Sequence, residues 1–126
     1  MIQPVLSSAV RDALAAGRPV VALESTIFSN LGLPSPANGE ALQRCVGAIE
    51  AAGGVAAITA VLDGEARVGL EPDEYPRILG AARKAAERDL PVAVAQGWEF
   101  GATTVSASVA LAAAAGIAVF ATGGIG

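Results

Sequence analysis

The 126 residues contain no histidine, a single cysteine and few aromatics: one tryptophan, one tyrosine and three phenylalanines. Without histidine, neither a Ser-His-Asp triad nor a His-ligated zinc site can be assembled from these residues. A lone Cys45 rules out an internal disulfide framework, and its expected role is a small, buried, inert group on a helix. Basic residues are scarce as well. Eight Lys and Arg against twelve Asp and Glu give a net charge of -4, with no basic stripe, so a nucleic-acid partner is not expected. The most apolar stretch, Val105 to Ala121, is interrupted by Ser106, Ser108 and Gly116 and reads as a helix and a strand rather than a membrane span. The N-terminus has no charged segment followed by an apolar core, so no signal peptide is expected and a soluble cytoplasmic protein is.

What the chain does have is apolar bulk in small pieces. Hydrophobic residues make up 53% and charged residues 16%, which places it among globular single domains. Ser7 or Ser8 can cap a helix through Ala16 that Gly17 stops. Pro19 to Leu23 reads as a buried strand, and Ser25 to Pro36 as a loop. Asn38 is expected to N-cap a helix to Ala52, ended by Gly53 and Gly54. Val55 to Leu62 is a second buried strand, turned by Asp63-Gly64 into a return strand through Val68. Pro72 opens a short helix to about Leu79, and Arg83 to Asp89 reads as a charged, solvated stretch. Pro91 to Ala95 is open between strand and helix. Val105 to Ala115 is an Ala-rich helix stopped by Gly116, and Ile117 to Ala121 is a third buried strand. Helices alternating with short apolar strands predict a layered α/β/α fold with a largely parallel central sheet.

In open α/β sheets, ligands gather at the C-terminal ends of strands. Three features fall at or near such ends. Glu24-Ser25-Thr26 follows the first strand, and a carboxyl group in an apolar setting suits general acid chemistry near neutral pH. "GATTV", Gly101 to Val105, opens a helix; free amide groups there, with the Thr103 and Thr104 hydroxyls, can hold an anion such as phosphate. "TGGIG", Thr122 to Gly126, is a glycine-rich turn without the lysine of a P-loop. Asp63, Gly64 and Glu65 form a hairpin turn rather than a metal site.

Taken in order, "PVVALESTI" (Pro19 to Ile27), "RDLP" (Arg88 to Pro91), "GATTV" and "VFATGGIG" (Val119 to Gly126) resemble the pseudouridine-5'-phosphate glycosidase family, which includes indigoidine synthase A-like proteins. The resemblance covers almost the whole chain and favours a helix after Asp89. It implies reversible cleavage of the carbon-carbon bond between ribose 5-phosphate and uracil. A carbon leaving group has no lone pair to protonate, so the proton must reach a ring carbon. In the family a lysine forms a Schiff base with the opened ribose as electron sink, a glutamate exchanges the proton, and a divalent metal, usually manganese, sits nearby. The resemblance implies that Glu24 is that glutamate, that Lys84 reaches the sugar phosphate, and that Thr104 and the Val105 amide line the phosphate pocket. It also implies a homotrimer. The Schiff-base lysine and the metal ligands lie past "TGGIG" in the family, so the chain is expected to be the N-terminal part of a longer catalytic domain.

Two stretches depart from the pattern. Ser29-Asn30-Leu31-Gly32 stands where the family has Ser-His-Gly, and Gln96 to Phe100 where it has Ala-Gly-Lys-Asn. An altered aglycone is the expectation: an aromatic natural product, C-ribosylated rather than cleaved. A pseudouridine-5'-phosphate glycosidase and a non-catalytic sugar-phosphate-binding fragment are the alternatives.

Overall fold

The computed structural model describes residues 2–125; Gly126, the last residue of the "TGGIG" turn, lies outside them. The chain order is β1 (Val5–Leu6), α1 (Ser8–Ala15), β2 (Val20–Leu23), a 3-10 turn (Thr26–Phe28), α2 (Ala37–Ala51), β3 (Val55–Leu62), β4 (Glu65–Val68), a 3-10 helix (Pro72–Leu79), β5 (Arg83–Ala85), a 3-10 turn (Glu87–Asp89), α3 (Leu90–Ala95), β6 (Phe100–Thr103), α4 (Val105–Ala114) and β7 (Val119–Ala121).

Local chemistry sets most of these boundaries. The Ser7 side chain accepts from the Val10 amide and starts α1, and Gly17, at φ +71°, ends it in the left-handed conformation glycine tolerates. Asp63 and Gly64 both have positive φ, 50° and 77°, the geometry of a two-residue hairpin turn. Asn38 does not cap α2. Its amide instead donates to the carbonyls of Phe28, at 3.0 Å, and Leu79, at 3.1 Å, and the helix begins two residues earlier than that cap would set it, at Ala37.

All seven strands join one sheet. β2 runs parallel to β3 and β7, β1 to β4, and β5 to β6; only β4 and β6 lie antiparallel to β3. The expected parallel character therefore holds for four of the six pairings. Alternation along β3 sends Ala57 and Val61 to one face and Ile58, Ala60 and Leu62 to the other. The first face packs against α1, α3 and α4 through Val10, Leu90, Ala93 and Leu111. The second packs against α2 and the 3-10 helix through Leu42, Val46 and Ile78. Burying each of these larger side chains contributes about 1.5–3 kcal/mol. The result is three layers, α/β/α.

β7 departs from expectation. It starts at Val119 rather than Ile117, because Ile117 is still donating to Ala112 in the turn that closes α4. It is also not buried: among the described residues it pairs only with β2, and Val119 is 54% exposed. No helix among the described residues is long and apolar enough to cross a membrane.

Candidate functional site

β3 changes partners halfway along one edge. Val55 to Ile58 pair with β2, while Val61 and Leu62 pair with β6 on the same edge, opposite β4. β2 runs with β3 and β6 runs against it, so the C-terminal ends of β2 and β6 meet head to head beside Thr59. That junction brings the Glu24 segment and "GATTV" together, although 78 residues separate Ser25 from Thr103.

Side-chain hydroxyls hold the junction. The Thr103 amide donates to Ser25 Oγ at 2.9 Å, the Ser25 amide reaches Thr103 Oγ1 at 3.3 Å, and the two hydroxyls are 3.0 Å apart. Thr59 Oγ1 lies 2.8 Å from both Thr103 Oγ1 and Ser108 Oγ, and also 3.1 Å from the Leu23 carbonyl. Thr26 Oγ1 donates to the Thr103 carbonyl at 2.6 Å. Ser25, Thr59, Thr103 and Ser108 are all fully buried, and each hydroxyl has a partner, as burial requires. Thr103 is therefore spent on structure, and its expected contribution to anion binding is withdrawn: its hydroxyl is sealed inside the network. Sequence reading passed over Thr59 and Ser108 because single polar residues in apolar segments carry no motif. A threonine in the middle of an otherwise apolar β3 was the available signal.

Glu24, the residue after β2, is half-buried at this junction. The Thr122 hydroxyl lies within hydrogen-bond reach of Glu24 Oε1 and, at 3.1 Å, of the Gly124 carbonyl. With one proton to give, it can serve either acceptor. β2–β7 pairing puts Leu23 opposite Ala121, so the first and third sequence features also meet. Between them lies a cleft of about 350 Å³, lined by Leu23, Glu24, Phe28, Cys45, Ala121 and Thr122 among others. Its walls are almost wholly apolar, and among the described residues Glu24 is the one carboxylate that lines it. Cys45 is accordingly not a fully buried helix residue but a half-buried one in the cleft wall.

Lys84 lies in β5, a strand absent from the expected elements, opposite Ala102. In-register neighbours point to the same face, and Ala102 belongs to the α2 face, so Lys84 stands on the face that carries the cleft. It is exposed. Beside it, Thr104 is the residue before α4; its amide donates to the Ala85 carbonyl at 3.0 Å. Its hydroxyl lies 3.2 Å from Ser106 Oγ at the helix start. The first-turn amides, beginning at Val105, have no acceptor within the helix and form the positive end of its dipole. Lys84 in β5 and Thr104 and Val105 after β6 thus lie near the C-terminal ends of two paired strands, Lys84 on the α2 face and α4 on the other, and the hydroxyl network ties the end of β6 to Ser25, the neighbour of Glu24.

The two departing stretches have different fates. Ser29 to Gly32 lies in the loop that follows the cleft residues Ile27 and Phe28. Gln96 to Phe100 does not reach the cleft: Trp98 is buried on the opposite face, under the Arg83 guanidinium at 3.8 Å from its ring centre. Its indole N–H donates to Gln96. An aglycone contact expected from that stretch is therefore not supported, since it sits at the far end of β6 from Thr103. Among the described residues, no group of three or more carboxylates or thiols converges to hold a metal.

Residues 9–126 match the family model described as indigoidine synthase A like protein. The chain is 54% identical over 126 residues to a pseudouridine-5'-phosphate glycosidase of Streptomyces griseus, covering 98% of the chain and 38% of that protein. It is 54% identical over 118 residues to one from Rhodospirillum centenum, covering 93% and 36%. Among solved structures, the prealnumycin C-glycosynthase in complex with ribulose 5-phosphate superposes with a TM-score of 0.80 at 36% identity, over 97% of this chain and 39% of that one. An indigoidine synthase A-like protein of Thermotoga maritima gives 0.82 at 31% identity, over 98% and 41%. The chain thus spans little more than a third of the length of these curated relatives.

Proposed function

The chain belongs to the indigoidine synthase A-like family, and we propose that it is the N-terminal part of a longer catalytic domain that breaks or makes a carbon-carbon bond between ribose 5-phosphate and a ring aglycone. The observation that carries this reading is the junction itself: one hydroxyl network joins the residues that follow Glu24, which lines an apolar cleft, to the residues that open α4.

Each part has a task. Lys84, the Thr104 hydroxyl and the first-turn amides of α4 hold the phosphate and so fix the sugar. Glu24 faces the cleft where the ring lies. In cleavage its carboxyl group gives a proton to the ring carbon as the bond to the sugar breaks; in synthesis its carboxylate takes that proton away. A hydrogen bond from Thr122 to Oε1 leaves Oε2 as the oxygen that exchanges the proton. The apolar walls exclude water, which would otherwise compete for the sugar carbon.

Uracil is the aglycone best supported, because the glycosidases of Streptomyces griseus and Rhodospirillum centenum share more than half of this chain's residues. A second reading, C-ribosylation of an aromatic natural product, draws on the C-glycosynthase neighbour and on the apolar cleft. The electron-sink lysine and a divalent metal, manganese by analogy with the family, belong to the proposal but not to this chain's described residues, and no step above is routed through the metal. A cytoplasmic homotrimer completes it.

Incubating the native protein with ribose 5-phosphate and uracil tests the reading. Formation of pseudouridine 5'-phosphate, with covalent labelling when borohydride is added, is the expected result. Labelling with ribose 5-phosphate but no product with uracil would favour the aromatic aglycone. No labelling at all would leave a non-catalytic sugar-phosphate-binding fragment.

A further inference from the structure

The loop after Glu24 and the segment before Lys84 are joined by two asparagines. The Asn30 amide N–H donates to the Gly80 carbonyl at 3.1 Å, and Asn30 Oδ1 accepts from the Ala82 amide at 3.1 Å. From α2, the buried Asn38 side chain donates to the carbonyls of Phe28 and Leu79. Four hydrogen bonds thus connect residues 28–30 and 79–82, two residues short of Lys84.

We propose that Asn30 is a positioning residue that sets where Lys84 stands relative to Glu24. This rests on the reading above that Lys84 holds the sugar phosphate.

Gly80 and Ala81 are exposed and Ala82 reaches the core with only a methyl group, so side-chain packing anchors this segment weakly. β5, which follows, is three residues long and among the described residues pairs only with β6, too little ladder to hold an end in place alone. Asn30, by contrast, projects from a stiff loop. Ser29 is fully buried, donates to the Thr26 carbonyl at 2.8 Å and accepts from the Leu31 amide at 3.1 Å. The Leu33 amide donates to the Ile27 carbonyl at 2.9 Å. Asn30 is itself exposed, so its replacement removes a clasp without opening a core. The Ser29-to-Gly32 departure then acts on the sugar-phosphate side of the site as a brace.

The test is steady-state kinetics of the native protein with ribose 5-phosphate and uracil, beside direct binding of ribose 5-phosphate. Asn30→Ala is expected to raise KM for ribose 5-phosphate about tenfold with kcat within about twofold. Asn30→Asp keeps the acceptor for the Ala82 amide and should return KM to within about threefold. In a Lys84→Met background, Asn30→Ala should add no further rise, because a residue acting through Lys84 has nothing left to place. An unchanged KM in Asn30→Ala, or an effect that adds in full to Lys84→Met, overturns the proposal while the functional reading stands. A wild-type protein that neither binds nor turns over ribose 5-phosphate overturns both.

Discussion

The hydroxyls of Thr59 and Thr103 lie 2.8 Å apart, both fully buried, at the point where β2 and β6 meet end to end. Thr103→Val keeps the shape and deletes the hydroxyl. The Ser25 amide and the Thr59 carbonyl lose their bonds to it, while Ser25 Oγ keeps the Thr103 amide and Thr59 Oγ1 keeps Ser108; an unsatisfied buried group costs about 1–3 kcal/mol. Thermal denaturation should show a melting temperature lower by several degrees, with activity falling further than stability accounts for.

Glu24→Gln retains size and can still accept from Thr122, but it cannot carry the proton. Loss of a general acid/base typically costs about 10²–10⁴-fold in rate. The expected result is a kcat lower by that order, with a melting temperature and a ribose 5-phosphate affinity close to wild type.

Acid should weaken the fold through the Arg67–Glu74 pair. The two terminal guanidinium nitrogens donate to the carboxylate, at 2.8 and 2.7 Å; chiefly because of that bond, the Glu74 carboxyl titrates below its ordinary value of 4.5. A carboxyl group depressed in the folded state stabilises it fully above the ordinary value and loses that contribution as pH falls through the depressed one. Melting temperatures from about pH 3 to pH 7 should fall on the acid side, and Glu74→Gln should melt lower at neutral pH with a shallower acid dependence.

Gly69→Ala tests the packing beneath α1. The residue has φ +86°, and an added Cβ would overlap Ser7 Oγ and Val10 Cγ2. Left-handed strain and overpacking together are worth about 2–5 kcal/mol. Because Ser7 caps α1, chemical denaturation should show a loss of that size, accompanied by reduced helix signal.

What could be read from the sequence follows from how local its cause is. The β3–β4 hairpin was legible because Asp63-Gly64 specifies its own turn, and β2 because Val20 to Leu23 is wholly apolar. Glu24 and "GATTV" stood out in the sequence as a strand-end carboxylate and a helix-opening segment, and the structure brings their neighbours Ser25 and Thr103 together. β5 was not legible, since Arg83-Lys84 looks like a solvated stretch until β6 pairs with it. β6 was hidden because Phe-Gly-Ala-Thr has little intrinsic strand preference and owes its form to distant partners. Asn38 carried a true helix-start signal, but two distant carbonyls captured its amide. The end-to-end meeting of β2 and β6 could not be read at all, because nothing local says which edge of β3 each would take.

The same junction bears on how the chain avoids folding wrongly. Sliding β3 by one residue would turn every side chain to the opposite face. Ile58 or Ala60 would then occupy the place of Thr59, leaving the buried Thr103 and Ser108 hydroxyls without the one that bridges them. Most of β3 is interchangeable aliphatic surface that tolerates a shifted alignment poorly but not uniquely. Thr59 makes one alignment distinguishable from its neighbours, so the residue that assembles the site also serves as the proofreading mark for the sheet.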